Sequence, residues 1–204
     1  MNFGLYVIAT QPTLPYGEVA EICVRKGIKY LQLREKNLSD KELLRAAAEI
    51  LEVTKGTATK MVVNDRADIA KIAGADLLHL GQDDLSVEDA RKIVGDMPIG
   101  LSTHSIEQAR EALKHNPEYI GFGPIYKTTT KENPDPTVGT QLLEEVLKFV
   151  DTPVVAIGGI FMENIQEVLR AGATNLSMVR YLMCDDMEAR IEEVQNAMAR
   201  AIKF

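Results

Sequence analysis

The stretch GADLLHLGQDDLSVEDARKIVG, residues 74–95, contains one complete structural unit, and reading outward from it decides the fold. Gly74 suits the left-handed backbone that ends a helix. The apolar run LLHLGQ (77–82) has the length of a strand, and Gln82-Asp83-Asp84 supplies it with a polar end. Ser86 then stands as an N-cap, Glu88 and Asp89 give the next helix an acidic first turn, and Gly95 stops it.

The same entry into a strand recurs at Gly27-Ile28-Lys29-Tyr30-Leu31 and at Gly172-Ala173-Thr174-Asn175-Leu176. Eight strand-like runs lie along the chain: LYVIAT (5–10), YLQLRE (30–35), MVVND (61–65), LLHLGQ (77–82), IGLSTH (99–104), YIGFGPI (119–125), VVAIGGI (154–160) and NLSMVR (175–180). Helical patterns fill the gaps. SDKELLRAAAEILEVTKG opens with a Ser39 cap and stops at Gly56, and FMENIQEVLRAG and MEARIEEVQNAMARAIKF are also amphipathic. Regular alternation of strand and helix predicts a parallel sheet. Eight units in 204 residues predict an α/β fold, a single-domain (β/α)₈ TIM barrel spanning 1–204, with an open doubly wound sheet as the alternative. The Pro/Asn-rich piece at 132–137 reads as a loop inside that domain.

With 46% hydrophobic and 26% charged residues the composition is that of an ordinary globular chain. A net charge of −7 gives no basic footprint for nucleic acid, so an anion site has to be built from local clusters. Cys23 and Cys184 lack the spacing of a zinc site or disulfide framework. The apolar run in MNFGLYVIAT is too short to span a membrane. The expectation is a cytoplasmic protein with no nucleic-acid or membrane partner; a homo-oligomer is left open.

In a (β/α)₈ barrel the chemistry sits at the C-terminal ends of the strands. Here those ends are polar: Gln32-Leu33-Arg34-Glu35-Lys36, Asn64-Asp65-Arg66, Gly81-Gln82-Asp83-Asp84, Ser102-Thr103-His104, the run from Lys127 to Lys131, Gly158-Gly159, and Ser177-Met178-Val179-Arg180. Each has an ordinary reading. Arg34 and Lys36 could pair with Glu35 or Asp40, and Asp65 and Asp84 could cap the helices that follow them. Their convergence points instead to polyphosphate binding. Asp65 and Asp84 could share one Mg²⁺, a hard cation that takes carboxylate and phosphate oxygens, and spacing leaves Asp83 as rival to Asp84. Arg34, Lys36 and Lys131 would offset phosphate charge. Thr128 and Thr130 alternate on one side of an extended segment. Gly158-Gly159, ahead of a helix near Glu163, suits a second phosphate. His79 reads as a hydrogen-bonded core residue, His104 as an orienting group and His115 as exposed. No Ser/His/Asp or Cys/His arrangement supports a nucleophilic mechanism.

Taken together, QLREK (32–36), NDR (64–66), HLGQDD (79–84), STH (102–104), GPIYKTTTK (123–131), AIGGI (156–160) and LSMVR (176–180) resemble the thiamine-phosphate synthase family in order and over nearly the whole chain. The resemblance implies a Mg²⁺-dependent transferase barrel. Such enzymes join a hydroxymethylpyrimidine diphosphate to a thiazole phosphate and release pyrophosphate. It implies that Gln32, Arg34, Lys36, Asn64, Ser102 and Lys131 contact the pyrimidine diphosphate. It further implies Asp65 and Asp84 as metal ligands. Thr128, Thr130, Gly159 and the Val179-Arg180 backbone would meet the thiazole phosphate. Lys131, Arg34 and Ser102 would serve catalysis. The chain departs from the family at Lys127, where proline is frequent, and at Arg180, where serine is frequent. The related thiazole tautomerases and a non-catalytic phosphate-ligand binding protein are the competing readings. Pro134, Pro136 and Gly139 would suit a covering loop or a static one equally.

Overall fold

A computed structural model describes residues 2–130 and 135–201. Lys131, the Glu-Asn-Pro piece at 132–134 and the last three residues of the expected terminal helix lie outside the described residues.

The strands are β1 (Gly4–Leu5), β2 (Val7–Ala9), β3 (Tyr30–Leu33), β4 (Lys60–Asn64), β5 (Leu77–Leu80), β6 (Ile99–Thr103), β7 (Tyr119–Phe122), β8 (Val154–Ile157) and β9 (Asn175–Ser177). All pair in parallel, in the order β1-β9-β8-β7-β6-β5-β4-β3-β2. The first of the eight expected strands is thus in two pieces: β1 pairs with β9, β2 pairs with β3, and Tyr6 between them donates its N–H to Leu176 O at 2.9 Å. The split strand closes the sheet into a barrel, and the open-sheet alternative fails on that closure.

The helices α1 (Tyr16–Arg25), α2 (Asp40–Thr54), α3 (Ala67–Ala73), α4 (Val87–Val94), α5 (Ile106–Leu113), α6 (Gly139–Leu147), α7 (Ile165–Arg170), α8 (Val179–Leu182) and α9 (Met187–Ala201) fill the connections. Ser39 and Ser86 cap α2 and α4 as their sequence predicts, and Ser39 forms a full capping box with Glu42. The recurring glycine phrase has one cause. Gly27, Gly74 and Gly172 all take positive φ, and the next residue donates its N–H to the carbonyl five positions back: Ile28 to Cys23, Ala75 to Ala70 and Ala173 to Val168. Each helix therefore ends in a Schellman-type turn that aims the chain into the next strand.

Two expectations are corrected. NLSMVR is a strand only to Ser177; Val179 and Arg180 begin the short helix α8. The helix after Gly158-Gly159 starts at Ile165, later than Glu163, because Asn164 first closes a turn: its Nδ2 donates to Gly159 O, and its Oδ1 accepts from Phe161 N.

The core has two parts. Outward strand residues pack under the helices, while Tyr6, Ile8, Tyr30, Val62, Leu77, Tyr119 and Val155 fill the barrel interior. Gly100 makes that filling fit, since a Cβ there would come within 2.2 Å of the Tyr119 ring. The tyrosines and Phe3 stack as tilted and edge-on rings at the lower end of the barrel, with the Tyr6 and Tyr119 ring centres 5.2 Å apart. This floor leaves the upper mouth as the open end.

Candidate active site

Two adjoining cavities open at the C-terminal mouth. One is polar, lined by Gln32, Arg34, Lys36, Asn64, Asp65 and Asp84. The other is mainly apolar, with Pro124, Ile160 and Met178 beside Thr128, Gly158 and Gly159. They meet along a common wall that includes Ile8, Arg34, Ser102, His104, Ile157 and Val179. Strand register explains the meeting, because residues two apart face the same side and every inward position at a strand's end converges on the barrel axis.

Within the polar chamber, Lys36 pairs with Asp65, not with Glu35 or Asp40. Glu35 is taken by the Tyr16 hydroxyl at 2.7 Å and Gln11 N–H at 2.5 Å, and Asp40 by Arg66 at 2.7 Å. Asp65 does not cap α3, whose first turn has no side-chain cap. It sits at φ 61 in the left-handed region, which Asp tolerates better than most side chains, and its carboxyl interacts with Asp84. Asp84 accepts from Gly81 N–H at 2.6 Å, which turns it inward, while Asp83 stays exposed. Of the two rivals, Asp84 is the one whose carboxyl meets Asp65.

The two carboxyls carry opposite shifts. Burial raises Asp84, and the neighbouring Asp65 carboxylate raises it further, to about 6. Burial also pushes Asp65 upward, but the hydrogen bond from Asp84 and the Lys36 ammonium outweigh it, so its net shift is downward. Two such carboxyls favour sharing a proton, since both charged together repel. A divalent cation would relieve the same repulsion. The donor set, two carboxylates open to a polar chamber with room for phosphate and water, fits Mg²⁺. Among the described residues there is no group of three or more His, Cys, Asp or Glu that could hold a metal ion.

In the apolar chamber, the glycines after β8 are needed for close approach. Gly159 has φ 66, and a Cβ would lie 2.6 Å from Lys127 O and 2.7 Å from Tyr126 O. The segment after β7 is docked on that turn: Ile125 donates to Ile157 O and Tyr126 to Gly158 O, each at 2.9 Å. After the cis Gly123-Pro124 bond the chain leaves, and it returns where Val138 donates to Pro124 O at 2.9 Å. Thr128 and Thr130 face each other as the alternation predicts, with hydroxyls 3.2 Å apart. Lys127 lines the chamber with its side chain largely exposed. The Val179 and Arg180 N–H groups lie in the first turn of α8, which supplies no intrahelical acceptor for them. The Arg180 guanidinium reaches across to Thr129 O at 3.3 Å. Ser177 Oγ is buried against this chamber with no hydrogen-bond partner among the described residues.

Sequence reasoning undervalued three residues. His104 binds the Gly123 carbonyl through Nδ1 at 2.5 Å and faces Asp135 through Nε2 at 3.3 Å, so it ties β6 to the loop after β7. Gln82 donates to Ser102 O at 2.6 Å. His79 is the expected core histidine, but it points into the barrel and hydrogen-bonds Ser102. His115 is half-buried, with Nδ1 3.2 Å from Glu88, so the expectation of an exposed residue is corrected. Both cysteines are free thiols. No helix among the described residues is long and apolar enough to cross a membrane.

Comparison with known proteins gives a consistent picture. A family model described as thiamine monophosphate synthase matches residues 5–182. A thiamine-phosphate synthase of Halalkalibacterium halodurans is 39% identical over 196 residues, covering 94% of this chain and 93% of that protein. One from Caldicellulosiruptor saccharolyticus is 38% identical over 179 residues, covering 87% and 81%. A solved thiamine phosphate pyrophosphorylase from Pyrococcus furiosus has a TM-score of 0.86 at 29% identity, covering 98% of this chain and 97% of that one.

Proposed function

We propose, from the premise that the chain belongs to the thiamine monophosphate synthase family and is an enzyme of thiamine monophosphate synthesis, a specific reaction and division of labour. The substrates are 4-amino-2-methyl-5-(diphosphooxymethyl)pyrimidine and a thiazole phosphate; the products are thiamine monophosphate and pyrophosphate. The observation that carries this reading is the pair of chambers sharing a wall at Arg34 and Ser102. One chamber has carboxylates and cations suited to a diphosphate. The other has apolar walls and a Gly/Thr rim suited to a heterocycle with a phosphate.

The bond changes are simple. The methylene C–O bond to pyrophosphate breaks, and a C–N bond forms to the thiazole nitrogen, whose lone pair is already available. The aminopyrimidine ring stabilises the electron-poor methylene between the two events. No redox partner and no general base is required. Asp65 and Asp84 would hold Mg²⁺, which when bound supplies positive charge against the diphosphate oxygens. Arg34, at the junction of the chambers, neutralises charge that develops on the departing pyrophosphate. Lys131 is assigned the same task from the sequence. Gln32, Asn64 and Ser102 orient the pyrimidine, and Lys36 holds Asp65 in place. Thr128, Thr130, Gly159 and the Val179-Arg180 backbone hold the thiazole phosphate, and the unpaired Ser177 hydroxyl gives that chamber a further polar contact. Alignment of the two reactants across the shared wall supplies the rest. Supplying both substrates with Mg²⁺ tests the reading: equal amounts of thiamine monophosphate and pyrophosphate are expected.

A further inference from the structure

We propose that a buried hydrogen-bond chain, Gln32–Tyr6–Tyr119–His79–Ser102, fixes which donors and acceptors Gln32 and Ser102 turn toward the pyrimidine, making Tyr6, Tyr119 and His79 positioning residues. This rests on the functional reading above for the identity of the ligand. The chain itself is a property of the fold.

Its links are short and continuous. Gln32 Nε2 donates to the Tyr6 hydroxyl at 2.9 Å. The Tyr6 and Tyr119 hydroxyls are 2.6 Å apart, Tyr119 Oη is 3.0 Å from His79 Nδ1, and His79 Nε2 is 2.9 Å from Ser102 Oγ. The interior members are almost wholly shielded: Gln32, Tyr6 and Tyr119 are no more than 2% exposed, and His79 is 8% exposed. Burial raises both phenols far above their ordinary range, so each keeps its single proton.

Proton counting then gives the chain one direction. Tyr6 receives the Gln32 N–H, so its own proton goes to Tyr119. Tyr119 must pass its proton on to His79 Nδ1. A neutral His79 therefore carries its hydrogen on Nε2 and donates to Ser102 Oγ. Ser102 is left with its own O–H to donate into the chamber, and Gln32, whose amide also hydrogen-bonds Tyr119, keeps its Oε1. Running the chain backward would reverse both ends at once, and a break in direction would strand a buried hydroxyl without an acceptor. Two residues on β3 and β6 are thus set as a pair. An aminopyrimidine, with N–H donors beside ring-nitrogen acceptors, is the kind of ligand that such a fixed pattern discriminates. A purely structural core network would hold the tyrosines equally well but would not act on one substrate selectively.

The test uses Tyr119→Phe and Tyr6→Phe, which keep the ring packing and remove one hydroxyl each. Nitrogen-15 NMR of histidine-labelled protein, with the His79 signals assigned by their loss in His79→Asn, reads the tautomer without any substrate. The expected wild-type result is a proton on Nε2 and none on Nδ1, with mixed tautomers in Tyr119→Phe. Steady-state kinetics are expected to show KM for the pyrimidine diphosphate rising about tenfold, on the scale of one lost buried hydrogen bond. KM for the thiazole phosphate stays within about twofold. A wild-type His79 protonated on Nδ1, or variants that leave the pyrimidine KM unchanged or raise both KM values together, would overturn the proposal. If Tyr119→Phe does not fold, Tyr6→Phe carries the same kinetic comparison. Failure of the wild type to make thiamine monophosphate would strike the functional reading and leave the tautomer result standing on its own.

Discussion

Asp65 at the end of β4 and Asp84 beyond β5 hold their carboxyl groups against each other in the polar chamber, with Lys36 paired to Asp65. Lys36 supplies only one positive charge to two acids. Burial and the Asp65 carboxylate make Asp84 the destabilising member of the pair in the free protein.

That tension gives a pH prediction. Asp84 has a folded value of about 6, above the ordinary 3.8, so the folded state binds its proton more tightly than the unfolded chain does. Its cost to stability is absent below the unfolded value, grows as pH rises toward 6, and is complete above it. Asp84→Asn should raise the melting temperature of the metal-free protein at pH 7.5, with the gain shrinking as pH falls from 6 to 4. Mg²⁺ should stabilise the wild type at pH 7.5 and fail to stabilise the variant. Thermal melts across that range, with and without Mg²⁺, check both halves.

The Gly159 turn predicts an effect larger than loss of glycine alone. Gly56 also has positive φ but open space around a Cβ, so Gly56→Ala measures backbone strain, about 1–2 kcal/mol. Gly159→Ala adds the overlap with the Tyr126 and Lys127 carbonyls and should cost about 1–3 kcal/mol more. It should also raise KM for the thiazole phosphate and spare that for the pyrimidine diphosphate. Urea unfolding midpoints and the two KM values decide it.

The Arg180 guanidinium donates to Thr129 O at 3.3 Å. This exposed contact should contribute less than about 0.5 kcal/mol to stability, yet it anchors the loop after β7. Arg180→Ser should leave the melting temperature within a degree or so and speed tryptic cleavage at Lys127 several-fold. Unchanged cleavage would mean that the docking of Ile125 and Tyr126 holds the loop unaided.

Much of this site was legible in the sequence because barrel geometry gathers strand ends, and the polar clusters after seven apolar runs needed only that geometry to meet. What could not be read was which face of a buried strand points inward. Parallel strands are apolar on both faces, so Tyr6, Tyr30 and Tyr119 look like any other core residues. That Asp84 rather than Asp83 meets Asp65 depends on the Gly81 turn, which spacing does not encode. Helix α8 is four residues long, too short to show a helical period, so NLSMVR read as one strand.

Lys131 is predicted to act on the leaving group. Lys131→Ala should slow the single-turnover rate by about a hundredfold, the scale of one lost charge stabiliser, while substrate dissociation constants change much less. A rate equal to wild type, or a loss confined to binding, would transfer that task to Arg34 alone.

The most direct measurement mixes the purified protein with both substrates, with and without Mg²⁺, and follows thiamine monophosphate and pyrophosphate together. The two products should appear in equal amounts, and only when Mg²⁺ and both substrates are present. Tight binding without product, or isomerisation of the thiazole without need of Mg²⁺, would contradict the two-chamber synthase.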